Sequence, residues 1–440
     1  METSDLHRII IIGGGAGGLE LATRLGETMG RRNQAQVTLV DRCRTHVWKP
    51  LLHEVAAGSL DTEAHQLEYA AQAHWHHFGF VQGELVGLDR TEKTLRLAPV
   101  LSWDSNEEVL PARELKYDTL VLALGSQTNF FGVPGAQENS TPLDCLEQAE
   151  KLRRQLMQSC IREASKMAEG KASDGVHVAI IGGGATGVEL SAELRRMETA
   201  FRKFGLYARR HGSDINISLI EAGPRILPAL SERVATTTTD LLRRLGIHVF
   251  VGDPVTNVGA SEVTTKSGRR LPADITIWSA GIKAPDVLTG LDGLEVNRLN
   301  QVKVTNRLQS ESDESIFALG DCASCSWRGA QFVPPRAQAA HQQATFLAKA
   351  LRARVNGRAL PEFRYTDHGS LVSLGGASAV GSLMGGIVGG NILIQGLLAR
   401  FMYAALYRKH IATVAGFRRM LVDATVHGLR RIGMPRVKLH

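Results

Sequence analysis

An α/β fold of two doubly wound units, one inserted in the other and followed by a C-terminal strand and amphipathic-helix region, is predicted by three features of this sequence. A glycine-rich turn opens the chain in "RIIIIGGGAGGLELATRL", and a near repeat, "VHVAIIGGGATGVELSAEL", lies 169 residues further on. Charge is the third feature. From Asn391 to His440 there are nine lysines and arginines against one acid, whereas the first 390 residues hold 42 basic and 43 acidic ones, so the formal net charge of +7 belongs to the tail.

Composition narrows the class. With 43% hydrophobic and 22% charged residues over 440, the chain has globular proportions and is too long for one average core. Five cysteines, of which only Cys322 and Cys325 are closely spaced, make no disulfide framework. The opening "METSDLHRIIIIGGG" runs from polar residues straight into a strand, so no leader peptide and a reducing compartment are expected.

Local pattern then accounts for each element. The apolar run "RIIII" suits a strand covered on both faces, and Leu19, Ala22 and Leu25 recur at helical spacing after the turn. Between them, Gly13, Gly15 and Gly18 permit a tight turn, approach of a pyrophosphate to backbone N–H groups, and close helix–strand packing, the Rossmann-like dinucleotide fingerprint. The next strand, "AQVTLVDR", ends in Asp41, placed to accept hydrogen bonds from a ribose. The repeat places Gly182, Gly184 and Gly187 after another apolar run, and "ISLIEAG" ends its strand with Glu221. Two such sites on one chain point to a flavin that stays and a nicotinamide that exchanges. Glu221 would repel a 2′-phosphate, and the nearest basic residue after it is Arg225, so NADH is favoured over NADPH.

Both units carry a further strand ending in a small-residue turn, "YDTLVLALGS" with Gly125 and "ADITIWSAGI" with Gly281. Another strand ends in "SIFALGDCA", where Asp321 is placed to face the diphosphate or ribityl chain of a flavin. "WSAGIKAPD" marks the return from the inserted unit. The expected division is 1–145 for the first part of the flavin unit, 146–283 for the NADH unit, 284–365 for the flavin unit's return segment and 366–440 for a membrane-associating region.

The return segment contains "PPRAQAAHQQ". On a helix Gln338 and Gln342 share one face, with Ala337, Ala340 and Ala344 small enough to leave a slot for a flat ring. Amides there would offer donors and acceptors without a charge that makes entry from lipid costly; a solvated helix face is the alternative reading of the spacing. From Gly369 to Ala399 there is no charged residue, but the glycines and the alternation suit strands and turns rather than a spanning helix. Two helical stretches follow. The second puts Phe417, Leu421, Ala424 and Gly428 on one side and Arg419, Asp423, His427 and Arg431 on another, as expected of a helix lying in an anionic membrane surface, or of a helix pair packed on the core or forming a dimer contact. One C-x-x-C, Cys322 and Cys325, and the cluster His74, His76 and His77 fall short of a zinc site, so structural thiols and no metal are expected.

The chain resembles the two-dinucleotide-binding-domain flavoproteins, and within them the type II NADH dehydrogenases, single-subunit NADH:quinone oxidoreductases that pump no protons. The resemblance rests on "IIGGGAGGLELATRL", "DRCRTHVWKPLLHEVAAGSLD", "GGGATGVELSAEL", "EAGPRILPAL", "GDCASC", "VPPRAQAAHQQ", "DHGSLVSL" and the closing "PRVKLH", and it spans nearly the whole chain. It implies noncovalent FAD at the first turn, NADH at the second, and a membrane quinone reduced from the other side of the flavin. Ala337, Gln338, Ala340 and Gln342 match that family's quinone motif. Glu189 is similar in position to a glutamate near nicotinamide and flavin, and Lys49, Pro50, Pro334, Pro335 and Arg336 are implied to approach the flavin ring. A peripheral location on the cytoplasmic face of a bacterial inner membrane is implied as well.

Two other functions compete. A flavin reductase serving a soluble acceptor would need neither the Ala-Gln motif nor a basic amphipathic tail. A flavoprotein of the apoptosis-inducing kind would bind nucleic acid through charge spread over a folded face, whereas here the excess lies in the tail beside apolar residues, so no nucleic-acid partner is expected.

Overall fold

The computed structural model describes residues 6–433 except 103, 172, 204–213, 375–378, 385–390 and 396. Its first sheet has five parallel strands in the spatial order Ile316–Ala318, Thr119–Leu122, Arg8–Ile12, Gln36–Asp41 and Gly79–Gln82. The second repeats that plan with Thr141–Pro142, Ile275–Trp278, Val176–Ile181, Ile215–Glu221 and His248–Val251. In each, the chain runs outward from the glycine-turn strand and later returns on its other side. The strand order therefore reverses beside Arg8–Ile12 and again beside Val176–Ile181, and the crevice at such a point is where a parallel sheet receives its ligand.

Ile9 to Ile12 are buried in one core with Leu19, Leu21 and Leu25 of the helix after the turn and Leu85, Leu88, Leu95 and Leu97 of two antiparallel strands, Leu85–Asp89 and Thr94–Leu97. Helix Ala16–Thr28 packs there against helix Ala337–Val355, so the return segment closes over the first glycine turn. Between the two sheets the chain crosses as a short ribbon in which Gln127–Thr128 pairs antiparallel with Ile282–Lys283. The two cores also interlock: Trp48, Leu51, Leu52 and Val55, from the first part of the chain, pack with the core of the second sheet.

The uncharged stretch after Gly369 forms an antiparallel sheet of Ser370–Ser373, Ala379–Met384 and Asn391–Gln395. Helices Leu397–Ala415 and Phe417–Gly433 follow, separated at Gly416, whose φ of +86° ends the first of them. Among the described residues no helix is long and apolar enough to cross a membrane. Ile411 and Val414 are buried in the first core, whereas Phe417, Leu421, Val422 and Val426 are exposed. The exposed apolar face thus includes two valines beyond the predicted stripe. Arg419 lies over the ring of Trp75, 4.7 Å from its centroid. The side chains of Arg400, Asp423, His427, Arg430 and Arg431, the surroundings of Gly428, and all of "PRVKLH" lie outside what is described.

Candidate functional site

Both glycine turns are built alike. Gly13 has φ of +102° and Gly182 +112°, a region closed to most side chains, and a Cβ on Gly18 or Gly187 would lie 1.8 or 2.0 Å from the carbonyl oxygen of Gly13 or Gly182. Gly15 and Gly184, by contrast, have open space around the Cβ position, which leaves the mouth of each turn clear. A carboxylate ties each turn from behind. Asp41 accepts the N–H of Gly14 at 2.6 Å and of Cys43 at 2.8 Å, and Glu221 accepts those of Gly183 and Gly223 at 2.7 Å each. Burial raises the Asp41 carboxyl above the usual range, and its two N–H bonds oppose that. A backbone cradle at a helix N-terminus with an acid at the next strand end fits a dinucleotide, and both turns fit FAD or NADH alike. Arg225 donates to the carbonyls of Leu227, Pro228 and Leu230, so its guanidinium is held by backbone behind Glu221.

The fold brings Asp321, Lys49 and Gly125 to the mouth of the first crevice. Asp321 accepts the Ser126 hydroxyl at 2.8 Å, and its carboxyl is raised by burial against the pull of Lys49. Lys49 Nζ donates to the Ser126 carbonyl at 2.9 Å and lies 3.2 Å from Asp144, so its charge is already partnered. Pro50 sits in the same short turn, Lys49–Leu51, and Gly125, with φ of +70°, follows the strand Thr119–Leu122. A cavity of about 270 Å³ opens here, lined among others by Ser126, Asp321, Gln301, Pro334 and Pro335. Gly281, with φ of +67°, lies beside Phe131, where an added Cβ would be 2.2 Å from the ring.

Glu189 is buried, not a surface helix residue. One carboxylate oxygen, Oε1, accepts the Ser373 N–H at 2.9 Å, and Oε2 lies 3.6 Å from His53 Nδ1. Burial, then the charges of Glu54 and Glu193, push the Glu189 carboxyl up to about 8, while burial pushes His53 down to about 4. Both groups are therefore neutral at pH 7. His53, Glu189 and Ser373 come from three distant parts of the chain.

The Ala-Gln helix differs from its sequence reading. Gln338 and Gln342 do share a face, but Gln338 donates to Tyr365 Oη at 3.0 Å and accepts the His368 N–H at 3.3 Å, and Gln342 exchanges two bonds with the Thr366 backbone. Their amides hold segment 365–368 against the helix, which Arg336 and Asp367 reinforce at 3.3 Å. Ala340 and Ala344 are buried, and Ala340 faces Gly17 of the helix Ala16–Thr28, so the small size of Ala340 serves helix contact rather than a slot. Ala337 begins the helix beside this cluster.

Gln343 was not among the predicted site residues. It is buried and accepts the N–H of Gly320 at 2.7 Å, fixing the turn that presents Asp321. Its signal was available: Ala339, Ala340, Gln343, Ala344 and Leu347 form the buried stripe, and a polar residue on such a stripe needs a partner. Cys322 and Cys325 are buried free thiols, both pushed up to about 11 by burial.

The family model of the pyridine nucleotide-disulphide oxidoreductases matches residues 7–344. Type II NADH:quinone oxidoreductase from Haemophilus influenzae is 40% identical, over 99% of this chain and the whole of that protein. The protein of the same name from Staphylococcus saprophyticus is 26% identical over 94% of this chain and 97% of its own. Among solved structures, NDH2 from Plasmodium falciparum in complex with NADH superposes with a TM-score of 0.81 at 19% identity, covering 99% of both chains. The sulfide:quinone oxidoreductase of Aquifex aeolicus gives 0.70 at 17% identity, over 98% of this chain and 96% of that one. With two dinucleotide cradles in place and a full-length relative at 40% identity, the chain belongs to the type II NADH:quinone oxidoreductases, within the pyridine nucleotide-disulphide oxidoreductase family.

Proposed function

We propose that this chain oxidises NADH and reduces a quinone taken from a membrane, moving no protons across it, with the roles of its residues as follows. The observation that carries the reading is the pair of equivalent turns, each with an open mouth and a carboxylate behind it, on a chain homologous along its whole length to named NADH:quinone oxidoreductases. On this reading 1–145 and 284–365 form the FAD unit, 146–283 the NADH unit and 366–440 the membrane-associating region. When bound, FAD would supply the two-electron redox chemistry between NADH and quinone.

The chain's own groups bind, orient and hold protons. Gly13, Gly15, Gly18 and Asp41 hold the FAD adenosine and diphosphate, and Asp321, steadied by Ser126 and Gln343, meets the ribityl side. Lys49, Pro50, Gly125, Pro335 and Ala337 border the ring. Gly182, Gly184, Gly187, Gly281 and Glu221 hold NADH. Glu189 keeps a proton on Oε2, the oxygen not bound by Ser373, and offers it beside the nicotinamide. Gln338 and Gln342 shape the quinone entrance by holding segment 365–368, and either amide can turn to a quinone oxygen when that segment shifts.

Phe417, Leu421, Val422 and Val426, with Arg418 and Arg419 beside them, form the membrane-facing surface of a peripheral protein on the cytoplasmic face. Anaerobic stopped-flow mixing tests the whole reading. NADH should bleach the flavin absorbance, a short-chain quinone should restore it, and anionic vesicles should bind the chain. Bleaching that quinone cannot reverse would favour a soluble acceptor. Self-association without vesicle binding would assign the apolar face to a second copy of the chain.

A further inference from the structure

Three histidines from distant parts of the sequence meet behind the first glycine turn. His46 and His410 are buried; His46 Nδ1 lies 2.9 Å from the Gly14 carbonyl oxygen, and His46 Nε2 lies 2.8 Å from His410 Nε2. The third, His341, bonds the buried Glu20, which also holds Arg24 and Thr345, and its ring centroid is 5.2 Å from that of His410. Trp48 stacks on His410 with 13° between the planes. His410 belongs to the helix Leu397–Ala415, beyond residues 7–344 that match the family model.

The partners settle the tautomers. A carbonyl oxygen only accepts, so His46 Nδ1 carries hydrogen; burial keeps His46 neutral at pH 7, so its Nε2 is an acceptor and His410 Nε2 must donate to it. Tyr69 Oη donates to the same Gly14 oxygen at 2.8 Å, while the Gly14 N–H is held by Asp41. In a trans peptide the N–H points opposite to the C=O. Pinning the Gly14 oxygen with two buried donors therefore turns the Gly15 N–H away from them, to the side on which an anion approaches the helix N-terminus.

We propose that His410 is a positioning residue for FAD: it donates to His46, His46 to the Gly14 carbonyl, and so the C-terminal helix sets the diphosphate-binding turn. This rests on the assignment of FAD to the first site. The carrier of the effect is one hydrogen bond between a helix that docks late in the sequence and a loop at its start. Displacement of that helix loosens the turn even though the helix touches none of the glycines through this contact.

The test uses full-length protein purified with its flavin. The rate of FAD loss after dilution is followed by the rise of free-flavin fluorescence for the parent, His410→Phe and His410→Gln. Phenylalanine keeps the stack on Trp48 and removes the donor; glutamine keeps a donor near the Nε2 position. The phenylalanine variant should lose FAD about tenfold faster, as expected for one buried hydrogen bond, and the glutamine variant within about twofold of the parent. Equal rates for parent and His410→Phe would overturn the proposal, and so would equally fast loss from both variants, which would indicate packing alone. Should His410→Phe fail to fold, His410→Met, also without a donor, is read in the same way. A parent protein that binds no flavin would instead overturn the FAD assignment itself.

Discussion

Glu189→Gln separates the proton-holding role proposed for this residue from its shape. A glutamine keeps the oxygen that accepts the Ser373 N–H and removes the ionisation. The Glu189 carboxyl ionises at about 8 in the folded chain against 4.5 as a free side chain, so between those values the folded state holds a proton that the unfolded state has released. Stability of the parent must then fall as pH rises from 4.5 and level off above 8. At pH 7 the gap of about 2.5 units corresponds to roughly 3 kcal/mol, a sizeable part of the stability of a natural protein. Thermal or urea unfolding of the two proteins at intervals from pH 4.5 to 9 measures it. The variant should gain on the parent steadily up to pH 8 and by several degrees in melting temperature at pH 7. Turnover should show the reverse: a limb near pH 8 in the parent that the variant lacks, with lower kcat. A stability difference independent of pH would refute the burial argument, and an unchanged pH–rate profile would refute the proton-holding role.

Other outcomes follow from the same geometry. Gly187→Ala puts a methyl group against the Gly182 carbonyl and should raise the KM for NADH at least tenfold while leaving FAD bound, as read by NADH titration of the flavin signal. Gln343→Leu strips the Gly320 N–H of its acceptor and should weaken FAD binding by about 1–3 kcal/mol, measured by flavin titration of the apoprotein; unchanged affinity would remove Gln343 from the site. Gln338→Leu with Gln342→Leu frees segment 365–368 and should slow reoxidation by quinone while sparing reduction by NADH; equal loss of both steps would count against a quinone entrance there. His46 and His53 are both pushed down to about 4 by burial, so the unfolded chain binds protons that the folded one refuses. Their contribution is whole above about pH 6.5 and is lost as pH falls toward 4, which acid unfolding of His53→Gln against the parent should show as a smaller loss.

Much of this was legible without coordinates because it depends on local rules. A continuous apolar run, a turn that only glycine can make and an acid at the end of the next strand constrain one another within about forty residues, so Gly13, Gly15, Gly18 and Asp41, and likewise Gly182, Gly184, Gly187 and Glu221, were identifiable from spacing. The charge of the tail and its two helical stretches are equally local. Spacing also placed Gln338 and Gln342 on one helix face, but it could not say what that face meets. Only the return of residues 365–368 past the helix decided that their amides are bound and that Ala340 packs against Gly17. Burial is likewise a property of the assembled chain: desolvation raises the Glu189 carboxyl even though the Ser373 N–H it accepts pulls the other way, and Ser373 and His53 reach it from either end of the sequence. His46 and His410, 364 residues apart, meet for the same reason. Periodicity reports which residues share a face, whereas desolvation and tautomer are fixed by what covers that face, and that is settled by packing between segments whose separation along the chain leaves no local trace.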